Sequence, residues 1–198
     1  TYRSGSKYNP TSNSWASMSL AIAPTARTQH TAVYTPSVPP DGGITWTTKS
    51  MIIWGGYSGS NTWLNTGAVY NLTNNNWISM PIISPIGGPN GTPVARAGHT
   101  AIWDLVNEQM IVWGGADGTN YRSDGGRYNP AGPSWTATTS IGAPTGRSLH
   151  TAIWDTENNQ MIIWGGLSED PPGTTIRHQT GSRYNPSPAG DGWNAVMI

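Results

Sequence analysis

One phrase recurs along this chain, and a recurring unit restricts the fold more than any local propensity does. RTQHTAVY at Arg27–Tyr34 returns as RAGHTAIW at Arg96–Trp103 and as RSLHTAIW at Arg147–Trp154. Each is followed by MIIWGG or MIVWGG, whose glycine pairs are Gly55 and Gly56, Gly114 and Gly115, and Gly165 and Gly166. A third mark, Gly-x-x-Tyr-Asn, places Tyr8, Tyr70, Tyr128 and Tyr184 at matching positions. A tryptophan then closes each unit, at Trp15, Trp77, Trp135 and Trp193.

Each mark predicts a short β-strand. The pieces are rich in Val, Ile, Thr, Tyr and Trp and are bounded by Gly, Pro, Asn and Asp. The MIIW stretches are continuously apolar, which suits a strand covered on both faces. DLVNEQ and DTENNQ predict hairpin turns between first and second strands, and NLTNNN and NPAGPS predict turns between third and fourth. No segment carries a sustained helical period. A unit of four antiparallel strands repeated in this way is a propeller blade.

Composition narrows the class further. The 198 residues contain 10 Lys and Arg against 10 Asp and Glu, so the formal net charge is zero. Such a chain has no clustered positive charge with which to grip nucleic acid. Its apolar runs are too short for a membrane-spanning helix, and no membrane insertion is expected. With no cysteine in the chain, disulfides and thiolate metal ligands are excluded. There are 11 tryptophans and no phenylalanine, and nine of those indoles fall on the repeat, so the aromatic wealth reads as packing.

The order Arg-x-x-His, Gly-Gly, Tyr, Trp resembles the kelch repeat, and the resemblance covers nearly the whole chain. The W-G-G and Y-N-P spellings are similar to kelch-like repeats of bacterial proteins. That resemblance implies an all-β, kelch-type β-propeller of about three and a half four-stranded antiparallel blades. Residues 1–20 read as the last two strands of an incomplete blade. Blades then begin at 27–80, at 96–139 and at 147–198, all in one propeller domain. The count predicts a window onto a larger closed propeller, or open ends covered by further blades of the same polypeptide or by other chains.

His30, His99 and His150 each follow an arginine by three residues. They admit a metal on a shared axis, but a hydrogen bond within each blade is favoured, because symmetric positions lie too far apart for one ion. No metal and no cofactor is expected. The resemblance implies that the first strand is innermost, so Arg27, Arg96 and Arg147 would stand at the mouth of a channel. There they would ring an anion, or tie neighbouring blades together through backbone carbonyls, the favoured reading.

Function is expected where the repeat breaks, because binding residues concentrate on loops carried by a rigid scaffold. The loops at 57–66, 116–124 and 167–180 differ from one another and carry Tyr57, Trp63, Tyr121, Arg122, Arg177 and His178. Aromatic platforms beside Asn, Arg and His suit a sugar ring or a peptide. Capping of blade edges by Trp63 and Tyr121 is the alternative. DGGITW at Asp41–Trp46 is similar to the Asp-box of sialidase propellers but stands in a different hairpin, so it reads as a turn. Asn71 and Asn90 begin N-glycosylation acceptor triplets.

The expected function is a non-catalytic binding or scaffold propeller that presents one loop face to a protein or glycan partner, in an extracellular or cell-envelope setting. The alternative is an enzyme of the kelch-propeller type, an oxidase or a glycan-active enzyme, with its catalytic residues in blades outside this chain. The copper radical oxidases of that fold require a Tyr–Cys cross-link, which a chain without cysteine cannot make.

Overall fold

A computed structural model describes residues 3–36, 49–84, 86–87, 90–187 and 191–196. The Asp41–Trp46 turn lies outside the described residues. The chain begins with a two-stranded hairpin, β1 (Ser6–Asn9) and β2 (Ser14–Ser17). A four-stranded sheet follows, formed by β3 (Thr31–Thr35), β4 (Ser50–Trp54), β5 (Gly67–Asn71) and β6 (Asn76–Ser79). The next comprises β7 (Thr100–Asp104), β8 (Gln109–Trp113), β9 (Gly125–Asn129) and β10 (Ser134–Ala137). In the last, β11 (Thr151–Asp155) and β12 (Gln160–Trp164) are followed by a small separate hairpin, β13 (Leu167–Glu169) and β14 (Thr175–Arg177). β15 (Gly181–Asn185) and β16 (Gly192–Val196) then complete it.

All three sheets are antiparallel meanders in one strand order, and no helix occurs among the described residues. Among the described residues no sheet is closed on itself. The blade-like arrangement is consistent with a propeller-like fold.

The turns follow from the Asx residues that end the strands. Asp104 accepts from the Val106 and Asn107 amides, and Asp155 from those of Glu157 and Asn158. Asn9 and Asn129 do the same after β1 and β9. A side-chain acceptor held over the next two amides is an Asx-turn, and it reverses the chain with few other requirements. Asn71, the first glycosylation triplet's asparagine, is also engaged in this way and is buried, whereas Asn90 is exposed.

Packing between sheets explains the apolar strands. Trp54 of β4 meets Trp135 of β10 with ring centroids 5.4 Å apart, and Trp113 of β8 meets Trp193 of β16 at 5.1 Å. Val33, Ile52 and Val69 pack with Met110, Val112 and Tyr128 of the next sheet. Ile102 and Ile111 pack in turn with Met161, Ile163 and Tyr184. Each closing tryptophan also lies against the tyrosine opposite it on the neighbouring strand, as in Tyr70–Trp77 and Tyr184–Trp193 at 5.0 Å. Such cross-strand aromatic pairs fix register as well as adding burial.

Candidate functional site

The repeated polar residues join the sheets, and their roles are exchanged relative to the sequence expectation. His99 Nε2 shares a hydrogen bond of 2.8 Å with Thr31 Oγ1, and His150 Nε2 one of 2.7 Å with Thr100 Oγ1. Each partner threonine belongs to the preceding sheet, so these histidines bond between sheets rather than within their own. Both are buried, whereas His30, with only the β1–β2 hairpin described before it, is exposed. Burial, reinforced by Arg96, lowers the His99 pKa to about 3, and burial with Arg147 lowers that of His150 to about 4. Both rings are therefore neutral near pH 7.

The arginines turn inward instead. Arg27 donates to the carbonyls of Thr25, Gly55 and Thr66. Arg96 reaches those of Val94, Gly114 and Asp124, and Arg147 those of Thr145, Gly165 and Thr180. Every acceptor lies in the arginine's own repeat unit or two residues before the arginine. The guanidinium fork thus ties the entry of the first strand to the loop between the second and third, rather than linking neighbouring sheets. With all three arginines buried on these carbonyls, they form no open anion ring.

The backbone completes the joint. Gly56 and Gly115 donate their amides to the carbonyls of Arg96 and Arg147, each 2.8 Å away in the next sheet. The glycine before each has positive φ, +67° at Gly55 and +71° at Gly114. A Cβ there would meet His99 or His150 Cε1 at 2.6 Å, so glycine is demanded by both conformation and close approach.

Beyond the glycine pairs, the non-repeated loops also touch in succession. Tyr57 and Trp63 make an edge contact within one loop, with centroids 5.3 Å apart. The Trp63 ring lies against Gly118 of the next loop, leaving no room for a Cβ there. Tyr121 Oη donates to Glu169 Oε1 of β13 at 3.4 Å. Between the Tyr121 loop and the β13–β14 hairpin lies a cleft of about 330 Å³ lined by Asn120, Tyr121, Thr145, Ser168, Glu169 and Asp170.

Of the six loop residues expected to bind, the structure brings Tyr121 to this cleft, and Tyr57, Trp63, Arg122, Arg177 and His178 do not line it. Arg122 is held by Asp117 at 3.3 Å and by Asp124 at 2.5 Å, and these carboxylates raise its pKa. Arg177 is exposed on β14, and His178 Nε2 pairs with Ser168 at 2.9 Å. Tyr57 and Trp63 are half-buried, and it is the Trp63 ring against Gly118 that braces one loop on the next. Sequence reasoning left Glu169, Asp170 and Asn120 out of the site, although acidic residues in a non-repeating loop were the available signal. Among the described residues, no three His, Asp or Glu side chains are grouped to hold a metal ion.

Compared with known proteins, the chain matches no family model and no curated protein sequence.

Proposed function

We propose that the chain belongs to a kelch-type β-propeller that acts as a non-catalytic binding or scaffold module, with its loop end facing a glycan or protein partner. What supports this is the cleft between Tyr121 and the β13–β14 hairpin. One aromatic ring stands beside Asn120 and the carboxylates of Glu169 and Asp170, in a space of about 330 Å³. A ring face with hydrogen-bonding groups at its margin is the usual means of holding a sugar or an extended peptide. The repeated Arg, His, Gly and Trp residues are occupied in joining strands and sheets, which leaves recognition to the loops. Low charge and a surface rich in Ser, Thr and Asn suit an exported or surface-associated protein.

The test is titration against panels of neutral oligosaccharides and of short peptides, followed by nuclear magnetic resonance. Saturable shifts at Tyr121 and β13 are expected, weakened tenfold or more by Tyr121→Ala while the urea midpoint holds. Turnover of a bound glycan, or binding indifferent to both Tyr121→Ala and Glu169→Gln, would overturn the reading.

A further inference from the structure

We propose that the cleft between the Tyr121 loop and the β13–β14 hairpin takes a positively charged side chain, an arginine carried on an extended peptide segment of a protein partner. The inference rests on the function proposed above and narrows it, from a glycan or protein partner to a cationic peptide.

Charge is unevenly distributed over the walls of this cleft. One wall comes from 119–121, in the loop of the β7–β10 sheet, and the rest from 145–146 and from the hairpin between 168 and 176. Glu169 and Asp170 both line the space, and no Lys, Arg or His does. The neighbouring cations are engaged or lie elsewhere. Arg122, next to Tyr121, is paired with Asp117 and Asp124. Arg177 follows Ile176 on β14 and is absent from the lining, as the alternation of side chains along a strand requires. His178 meets Ser168 through Nε2, and burial together with Arg147 lowers its pKa, so it adds no charge near pH 7. The two carboxylates are left without a cation among the walls.

Those carboxylates are also placed to receive one. Glu169 Oε1 accepts from Tyr121 Oη at 3.4 Å and its Oε2 from the Gly173 amide at 3.0 Å. These bonds hold the group in place and leave each oxygen a further lone pair. Burial and the charge of Glu169 raise the Tyr121 pKa, so the phenol stays protonated and remains a donor. The Asp170 carboxylate, exposed in the same wall, has no hydrogen-bond or ion-pair partner among the described residues.

Apolar surface completes the match. Tyr121, Pro172 and Ile176 face the same space, and Ile176 is 38% exposed. An aromatic ring attracts a guanidinium, aliphatic carbons cover its stem, and a carboxylate receives its N–H fork. A neutral sugar would leave the carboxylate charges unmatched, and an acidic one would be repelled.

The probes are three peptides, Gly-Ser-X-Ser-Gly, in which X is arginine, its neutral isostere citrulline, or glutamate. Each is titrated into the whole chain and followed by nuclear magnetic resonance. The arginine peptide should give saturable shifts at 119–121 and 168–176, with the citrulline peptide about tenfold weaker and the glutamate peptide weaker still. Asp170→Asn, at an exposed residue, should weaken the arginine peptide about threefold, and combined with Glu169→Gln about tenfold. Equal binding of the arginine and citrulline peptides, or arginine binding indifferent to the double substitution, would overturn the proposal. If a neutral oligosaccharide shifts Tyr121 and the arginine peptide does not, the narrowing fails and the broader reading stands. If neither binds there, both fail.

Discussion

His150 Nε2 and Thr100 Oγ1 stand 2.7 Å apart across the junction of two sheets, and the burial that shelters this pair keeps the imidazole neutral. The His99–Thr31 pair repeats the arrangement one sheet earlier. With folded pKa values of about 3 and about 4, these histidines take up protons far more readily when unfolded. An unfolded imidazole titrates near ~6.5. Stability should therefore be full above that pH and should fall as the pH drops toward 4, by about 1.4 kcal/mol per pH unit for each histidine. Urea denaturation at pH 7 and pH 5 measures this, and His99→Gln should remove about half of the slope. Asp124, whose burial is outweighed by Arg122 and Arg96, is held below the ordinary carboxylate range. Its contribution is lost only at lower pH, below about 4, so the two effects separate.

Gly114 and Gly165 offer a matched pair. Both have positive φ, +71° and +72°, so alanine at either carries a similar backbone strain of about 1–2 kcal/mol. At Gly114 a Cβ would also meet His150 Cε1 at 2.6 Å and the Arg147 carbonyl at 2.8 Å, whereas at Gly165 the nearest atom is 3.8 Å away. Gly114→Ala should therefore cost about 1–3 kcal/mol more than Gly165→Ala, read as the difference in their urea midpoints.

Trp113 and Trp164 occupy equivalent ends of β8 and β12, yet Trp113 is fully buried and Trp164 is 44% exposed. The first lies under the last sheet, and the second has no described sheet beyond it. Trp113→Ala should cost about 3–5 kcal/mol. Trp164→Ala should cost closer to about 1 kcal/mol, in proportion to the area it hides. Calorimetry of the two variants compares them directly.

Arg96 is the most deeply buried of the three repeated arginines and, among the described residues, alone of the three has a carboxylate partner, Asp124 at 2.9 Å. Arg27 and Arg147 rest on carbonyls and threonine hydroxyls without one. The carbonyls therefore suffice to hold the charge. Asp124→Asn should cost about 1 kcal/mol, discounted for the partial exposure of the carboxylate. Arg96→Lys, which cannot span the same acceptors, should cost about 2–4 kcal/mol in urea denaturation.

The strands were legible in the sequence because each mark of the repeat carries its own local cause. Asp104 and Asp155 make the turns after HTAIW, the β-branched run of MIIW fills a strand covered on both faces, and Tyr and Trp pair across the last hairpin. The joints were legible in kind but not in direction. Nothing in Arg-x-x-His tells whether the imidazole or the guanidinium crosses to the neighbour, since that depends on how one sheet is set on the next. The β13–β14 hairpin was invisible for a different reason. It occurs once, flanks Pro171 and Pro172, and has no period to compare with. Glu169, which meets Tyr121 from that hairpin, was accordingly not among the expected binding residues.

The sheets meet along their first strands, β7 lying between β3 and β11. Cooperativity in such a series is passed by nearest neighbours and weakens toward the ends. The β7–β10 sheet, clasped on both sides by a histidine joint and a tryptophan, should be the slowest of the described sheets to open. Its amides should exchange with deuterium last, those of β1–β2 first, and the order of exchange would trace the series from its rim to its centre.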